Sequence, residues 1–244
     1  MEGSGYSMLV GGYKQKDQNV PHGLMFHHFF DKKHVRGQGS ISEHQFEKII
    51  QHYGKNILSA DNWFNKAKSN SLDDKDVCLT FDDTLLCQYD IALPVLQKYN
   101  LTAFWFINSS VLTGEIGNLE VYRKFRTVCF SGIEDFYGHI IGLHSHTHPT
   151  MLSKLSKIDQ EKEYLKNYKV LYASLKTPPK TVSHPCNSYN NDTLSVLRNL
   201  KIEIGFRANM GNHLFSEFEF PREDHANIIK RIGGIPIVIN NIKE

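Results

Sequence analysis

Short apolar segments alternate with longer amphipathic ones from residue 77 onward. The alternation predicts an α/β chain with a parallel sheet, open or closed into a barrel. Two further observations agree with it. Acidic and imidazole residues follow directly on two apolar runs, and parallel-strand folds gather their reactive groups at strand C-terminal ends. The chain's 244 residues, 40% hydrophobic and 22% charged, are also enough for one substantial core.

Residues 1–20 are Gly-rich and polar and read as a loose lead-in to a single domain over 21–244. His22–Phe30 reads as a short buried strand. Ser42-Glu43-His44-Gln45 reads as a capping box opening a helix with Phe46, Ile49 and Ile50 on one face, and Gly54 is placed to end it. Residues 65–76 have the polar composition of an exposed connector. Strands are expected at Val77–Phe81, Leu101–Ile107, Ile140–Leu143, Thr181–Ser183 and Ile204–Arg207, with helices at Tyr89–Tyr99 and Asp192–Leu200. A long helix over 156–176 carries Ile158, Leu165, Tyr168, Tyr172 and Leu175 along one side, and Pro178-Pro179 stops it. No internal repeat, low-complexity tract or linker interrupts the pattern.

Composition excludes several classes. Net charge is +2 with Lys and Arg scattered, so no footprint for nucleic acid exists. No stretch approaches the roughly 20 apolar residues of a membrane span. Met8-Leu9-Val10 is too short for the apolar region of a signal peptide. Cys78, Cys87, Cys129 and Cys186 form no CxxC pair, which predicts reduced thiols and a cytoplasmic location.

Two motifs carry the chemistry. The run Val77-Cys78-Leu79-Thr80-Phe81 ends in Asp82-Asp83, and Ile140–Leu143 runs into His144-Ser145-His146-Thr147-His148-Pro149. Together they supply a carboxylate and two imidazoles for a divalent metal, with one carboxylate left over as a base. Side chains alternate along a strand, so one Asp is expected to ligate while its neighbour faces the attacking water. His144 and His148 share a face if their segment turns helically. Ser145 stands where a zinc-protease helix needs Glu, and the Asp pair lacks the spacer of a phosphatase nucleophile, so neither reading holds.

Thr80-Phe81-Asp82-Asp83, then Leu93-Pro94-Val95-Leu96-Gln97-Lys98-Tyr99-Asn100-Leu101-Thr102-Ala103-Phe104-Trp105-Phe106, then Ile141-Gly142-Leu143-His144-Ser145-His146-Thr147-His148-Pro149 resembles the polysaccharide deacetylase family, carbohydrate esterase family 4. The resemblance runs in order from about residue 22 to about residue 225 and implies a distorted (β/α) barrel. It makes Asp82 the catalytic base and Asp83, His144 and His148 the metal ligands. Zinc is implied by default, with cobalt, nickel or iron also compatible with these donors. Leu24-Met25-Phe26-His27 resembles the Met-Tyr-His signature of permuted members such as poly-N-acetylglucosamine deacetylases, which makes His27, rather than His28, the general acid. In Ser183-His184-Pro185-Cys186-Asn187-Ser188-Tyr189-Asn190, the backbone N–H of Cys186 falls at the family's oxyanion donor.

The chain departs from the family at Thr84, where Gly is usual, and at Ser183, where a base-orienting Arg is usual. Arg222 and Asp224, in a late Pro-Arg segment, are candidates to tune Asp82 or His27, or form a surface ion pair. Trp63 is a candidate sugar-stacking face, whereas Trp105 reads as packing. The reaction implied is removal of an N-acetyl group from an amino sugar of a polysaccharide or a cell-envelope glycan precursor. A non-catalytic carbohydrate-binding relative and a hydrolase of a small non-sugar amide are the alternatives.

Overall fold

The computed structural model describes residues 20–37, 39–115, 136, 138–211 and 216–233; the expected lead-in up to residue 19 and Cys129 lie outside them. Its strands are β1 (His22–Phe26), β2 (Val77–Phe81), β3 (Ala103–Ile107), β4 (Ile140–Leu143), β5 (Thr181–Ser183), β6 (Ile204–Phe206) and β7 (Arg222–Asp224). Its helices are α1 (Glu43–Tyr53), α2 (Ala60–Lys68), α3 (Leu93–Lys98), α4 (Ser109–Thr113), α5 (Lys157–Leu175), α6 (Asn191–Asn199) and α7 (His225–Arg231). The strands lie in the order β6-β5-β4-β3-β2-β1-β7 and every pairing is parallel. Phe206 bridges Phe220 in parallel, and the Gly23 N–H donates to the Pro221 carbonyl at 2.9 Å. The segment before β7 therefore spans the gap between β6 and β1, and the sheet becomes a nearly closed barrel.

Strand alternation sorts the core into two parts. Leu24, Phe26, Val77, Leu79, Phe81, Trp105, Ile107, Leu143 and Val182 face outward and pack with the helices. Cys78, Phe104, Phe106, Ile204 and Phe206 form a second cluster, closed by Ala60 and Trp63 of α2. The Leu58 N–H bonds the Val77 carbonyl, and the Ala60 N–H bonds the Thr102 hydroxyl, which places this segment at the N-terminal ends of β2 and β3. Trp63 thus plugs the barrel's N-terminal mouth, 4.9 Å from the Phe220 ring and 5.1 Å from Phe206. Fully buried, it is no sugar-stacking face. Trp105 is packing as expected, stacked on Phe81 at 4.3 Å.

Several local expectations hold to the residue. Ser42 and Gln45 form a reciprocal capping box, and Gly54 ends α1 at φ 50°. Others need correction. The predicted first strand stops at Phe26, so His27 and His28 lie beyond the ladder. Residues 65–68 are not connector but the end of α2, whose N-cap is Ser59. Ala60 and Trp63 of that helix are buried, whereas its last turn, Asn65-Lys66-Ala67-Lys68, has the polar composition of a connector. The helix expected at Tyr89–Tyr99 opens as one π-helical turn over Gln88–Ala92, where Pro94 contributes no N–H to the ladder. In α5 the inward stripe is Gln160, Tyr164, Asn167 and Leu171, while Ile158 and Tyr172 are exposed. Tyr168 and Leu175 of the expected stripe do pack against the core, but two of the four buried positions are amides, which hydrophobicity alone does not mark. β7 is too short to show a period in sequence.

Candidate metal centre and active site

Asp82 continues the inward face of Cys78 and Thr80, so it enters the barrel mouth by strand alternation alone. Asp83 would then face away, but it adopts φ 78° and Thr84 follows at φ 57°. This left-handed pair turns the chain over, and both carboxylates border the same imidazole. His144 Nε2 lies 3.8 Å from Asp82 Oδ2 and 3.4 Å from Asp83 Oδ1. The alternation that was to separate the two Asp residues is cancelled by this backbone turn. Thr84 keeps the left-handed geometry that Gly would favour, and its hydroxyl accepts the Asn108 N–H at 3.0 Å. From the π-turn, the buried Gln88 amide donates to the His27 and Asp82 carbonyls at 2.8 and 2.6 Å, tying together the chain just beyond β1 and β2.

His144–His148 is not helical. Ser145 and His148 take φ 60° and 55°, and the loop brings the rings of His144 and His148 to 4.9 Å. His148 Nε2 also lies 3.4 Å from Asp83 Oδ1. His144 Nδ1 donates to the Ser183 carbonyl at 2.9 Å; a carbonyl can only accept, so in the neutral ring Nε2 presents its lone pair to Asp83. Asp83 Oδ1 is buried and receives no hydrogen bond. One ligand atom from each of Asp83, His144 and His148 lies within 4.8 Å of the others. A buried carboxylate oxygen 3.4 Å from a nitrogen of each of two imidazoles suits a divalent cation with nitrogen and oxygen ligands.

Asp82 has different partners. Arg222 from β7 grips both its oxygens, Nη1 to Oδ1 at 2.8 Å and Nη2 to Oδ2 at 2.7 Å, and the Ser183 hydroxyl donates to Oδ2 at 3.0 Å. Arg222 is 1% exposed, which excludes the surface ion pair considered from sequence. Its stem runs past Gly23, where a Cβ would come within 3.0 Å of both Arg222 Cγ and Thr80 Cγ2. An arginine thus reaches Asp82 from β7, and Ser183, standing where the family's Arg is usual, joins the same network.

His27 sits on the other side of Asp82, with Nε2 3.9 Å from Asp82 Oδ2 and Nδ1 4.0 Å from Asp224 Oδ2. His27, Asp224 and His225 also cluster at ligand distance, but both ring nitrogens of His225 already face carbonyls, of Met25 and Gly39. Cys186 takes φ 49°, and its turn's two hydrogen bonds are made by the N–H groups of Asn187 and Ser188. His146 is turned away from the metal cluster, its Nδ1 on the Ser109 hydroxyl at 2.9 Å.

A family model for polysaccharide deacetylase matches residues 69–205. The chain belongs to the polysaccharide deacetylase family. Among curated proteins, the poly-beta-1,6-N-acetyl-D-glucosamine N-deacetylase of Staphylococcus aureus (strain MSSA476) is 28% identical over 193 residues, covering 74% of this chain and 65% of that protein. The protein of the same name from Staphylococcus epidermidis is 23% identical over 180 residues, 68% of this chain and 61% of that one. The chain thus spans a little under two thirds of the length of these curated relatives. IcaB from Ammonifex degensii superposes with a TM-score of 0.70 at 19% identity, over 83% of this chain and 90% of that one. The Streptococcus pyogenes deacetylase PplD gives 0.69 at 20% identity, over 86% and 96%. At these identities the structures establish the barrel fold.

Electrostatics separates the two carboxylates of this polysaccharide deacetylase family member. Burial opposes the charge of Asp82, but the Arg222 guanidinium and His144 outweigh it and hold the carboxyl at about 2. Burial likewise opposes the charge of Asp83, and the imidazoles of His144, His27 and His148 hold it well below the usual carboxylate range. Burial and the neighbouring His144 push His148 down to about 4. His144 goes the other way: burial would lower it, but Asp82 and Asp83 raise it. Among the described residues no helix is long and apolar enough to cross a membrane. Sequence motifs missed Ser183 as a partner of Asp82 and could only guess at Arg222 and Asp224. They gave no sign of Gln88, Glu163 or Asn167, which act through side-chain bonds to distant backbone groups.

Proposed function

We propose that this chain is a metal-dependent hydrolase that removes N-acetyl groups from a β-1,6-linked N-acetylglucosamine polymer. The observation that carries the reading is the division of labour between adjacent carboxylates: Asp83 faces two imidazoles, whereas Asp82 is gripped by Arg222 and faces His27. Asp83, His144 and His148 would hold the cation, zinc by default for one carboxylate and two imidazoles. A cation held there polarises the acetamide carbonyl and acidifies water.

The chain's own residues supply the remainder. Asp82, ionised across the working pH range, accepts the proton of the attacking water as its oxygen bonds to the acetyl carbon. The Cys186 N–H donates to the developing oxyanion; a backbone donor does not depend on the side chain at this position. His27 gives its proton to the departing nitrogen as the C–N bond breaks, leaving acetate and a free amine. Asp224 Oδ2 lies 4.0 Å from the other ring nitrogen of His27 and orients the ring. The curated relatives' names support the polymer as substrate.

The test is acetate release from β-1,6-linked N-acetylglucosamine oligomers of increasing length by zinc-loaded and chelator-stripped protein. Release that rises with length and disappears on stripping supports the proposal. Equal release from the monosaccharide favours a cytoplasmic precursor or another small amide. Oligomer binding without release favours the non-catalytic relative.

A further inference from the structure

The loop between the two histidine ligands does not hold its own shape. Ser145 and His148 are both left-handed, and its internal support is the Ser145 hydroxyl accepting the His148 N–H at 3.1 Å. From α4, the Ser110 N–H donates to the His146 carbonyl at 3.0 Å, and α5 receives the loop's own donors. Glu163 Oε2 accepts the N–H groups of His146 and Thr147 at 3.0 and 2.8 Å, and Oε1 accepts the Thr147 hydroxyl at 2.7 Å. One turn further along the same helix face, the fully buried Asn167 accepts the His144 N–H at 3.0 Å and donates to the Ile107 carbonyl at 3.0 Å. Four loop donors, the N–H groups of His144, His146 and Thr147 and the Thr147 hydroxyl, are thereby bound to two side chains of one helix. A carboxylate gathering adjacent backbone N–H groups is a strong, charge-assisted contact.

We infer that Glu163, seconded by Asn167, is the positioning residue of the metal centre: α5 holds the two imidazoles in register so that the site exists before the cation arrives. The inference rests on the metal-centre reading above and goes beyond it, because Glu163 touches neither the ligand atoms nor the reacting groups. Its effect is on retention of the cation rather than on the chemistry. Changes in such outer partners typically weaken metal affinity about 10–100-fold.

The experiment is zinc affinity by competition with a chelating dye, for the wild type, Glu163→Ala and Glu163→Gln, alongside the melting temperature of each stripped protein. Glu163→Ala is expected to weaken zinc binding about 10–100-fold. Glu163→Gln, which keeps an acceptor oxygen for the two N–H groups, recovers most of the affinity. Acetate release by Glu163→Ala returns to near the wild-type rate when zinc is saturating, which a merely structural lesion would not allow. Unchanged zinc affinity in Glu163→Ala, or a rate that saturating zinc does not restore, overturns the inference and leaves the deacetylase reading standing. A wild type that binds no zinc overturns both. If Glu163→Ala does not fold, Thr147→Val removes one contact from the loop side, and unchanged zinc affinity there has the same meaning.

Discussion

Arg222 and Asp82 are 140 residues apart in sequence and share two parallel hydrogen bonds of 2.8 and 2.7 Å at the barrel mouth. The pair is buried, so each group depends on the other. Arg222→Met leaves the Asp82 carboxylate unpaired and is expected to cost about 3–5 kcal/mol of stability. Combining it with Asp82→Leu recovers much of that loss, because neither member of the pair is left buried without its partner. Urea unfolding of the two variants measures this; additive losses in the double variant would contradict it.

The same pair sets an acid limit. Asp82 titrates at about 2 in the folded protein against 3.8 ordinarily. A lowered folded value means that its contribution is complete above the unfolded pKa and is lost as pH falls through the folded one. The window therefore runs from about pH 4 down to about pH 2 and is worth about 2 kcal/mol. Stripped Asp82→Asn should show a flatter stability profile across that window than stripped wild type. Parallel profiles would mean that other groups govern the acid limb.

Adjacent Asp residues should fail differently. Asp83→Ala is expected to abolish zinc binding, whereas Asp82→Asn retains zinc and loses turnover. Elemental analysis with an acetate assay separates the two, and equal zinc loss in both variants would remove the distinction between ligand and base.

His27→Ala is expected to keep its zinc and lose about 10²–10⁴-fold in turnover, the range for a general acid. Asp224→Asn gives a smaller loss, since it acts through His27. Unchanged turnover in His27→Ala would exclude it as the proton donor.

Thr84 makes a prediction about stability alone. A left-handed β-branched residue costs about 1–3 kcal/mol, partly offset by the hydroxyl's bond to the Asn108 N–H, about 1 kcal/mol. Thr84→Gly loses both and stays near wild-type stability. Thr84→Ala loses the bond but keeps much of the strain, so the Gly variant should be the more stable, the reverse of the usual order. Unfolding midpoints in the opposite order would refute the account.

What sequence could reveal follows from how local each signal is. Asp82-Asp83 and His144–His148 are contiguous, each follows an apolar run, and the structure brings them together. Val77–Phe81, Ile140–Leu143 and Thr181–Ser183 are strands to the residue because their flanks punctuate them. Arg222 was visible only as part of a short motif, since β7 is three residues long and its partner lies across the barrel. Glu163 and Asn167 left no trace: on a helix, a clamp reads as one more polar residue. Conversely, Trp63 looked available and is sealed inside.

That sealed indole has a mechanical consequence. With the N-terminal mouth stoppered, the proposed polymer would have no passage through the barrel and would reach the carboxylates only from the opposite rim. On that reading, units in the middle of a strand would be as open to attack as terminal ones. The spacing of modified units along a product strand would follow from how the rim grips the neighbours on either side, not from ratcheting through a tunnel.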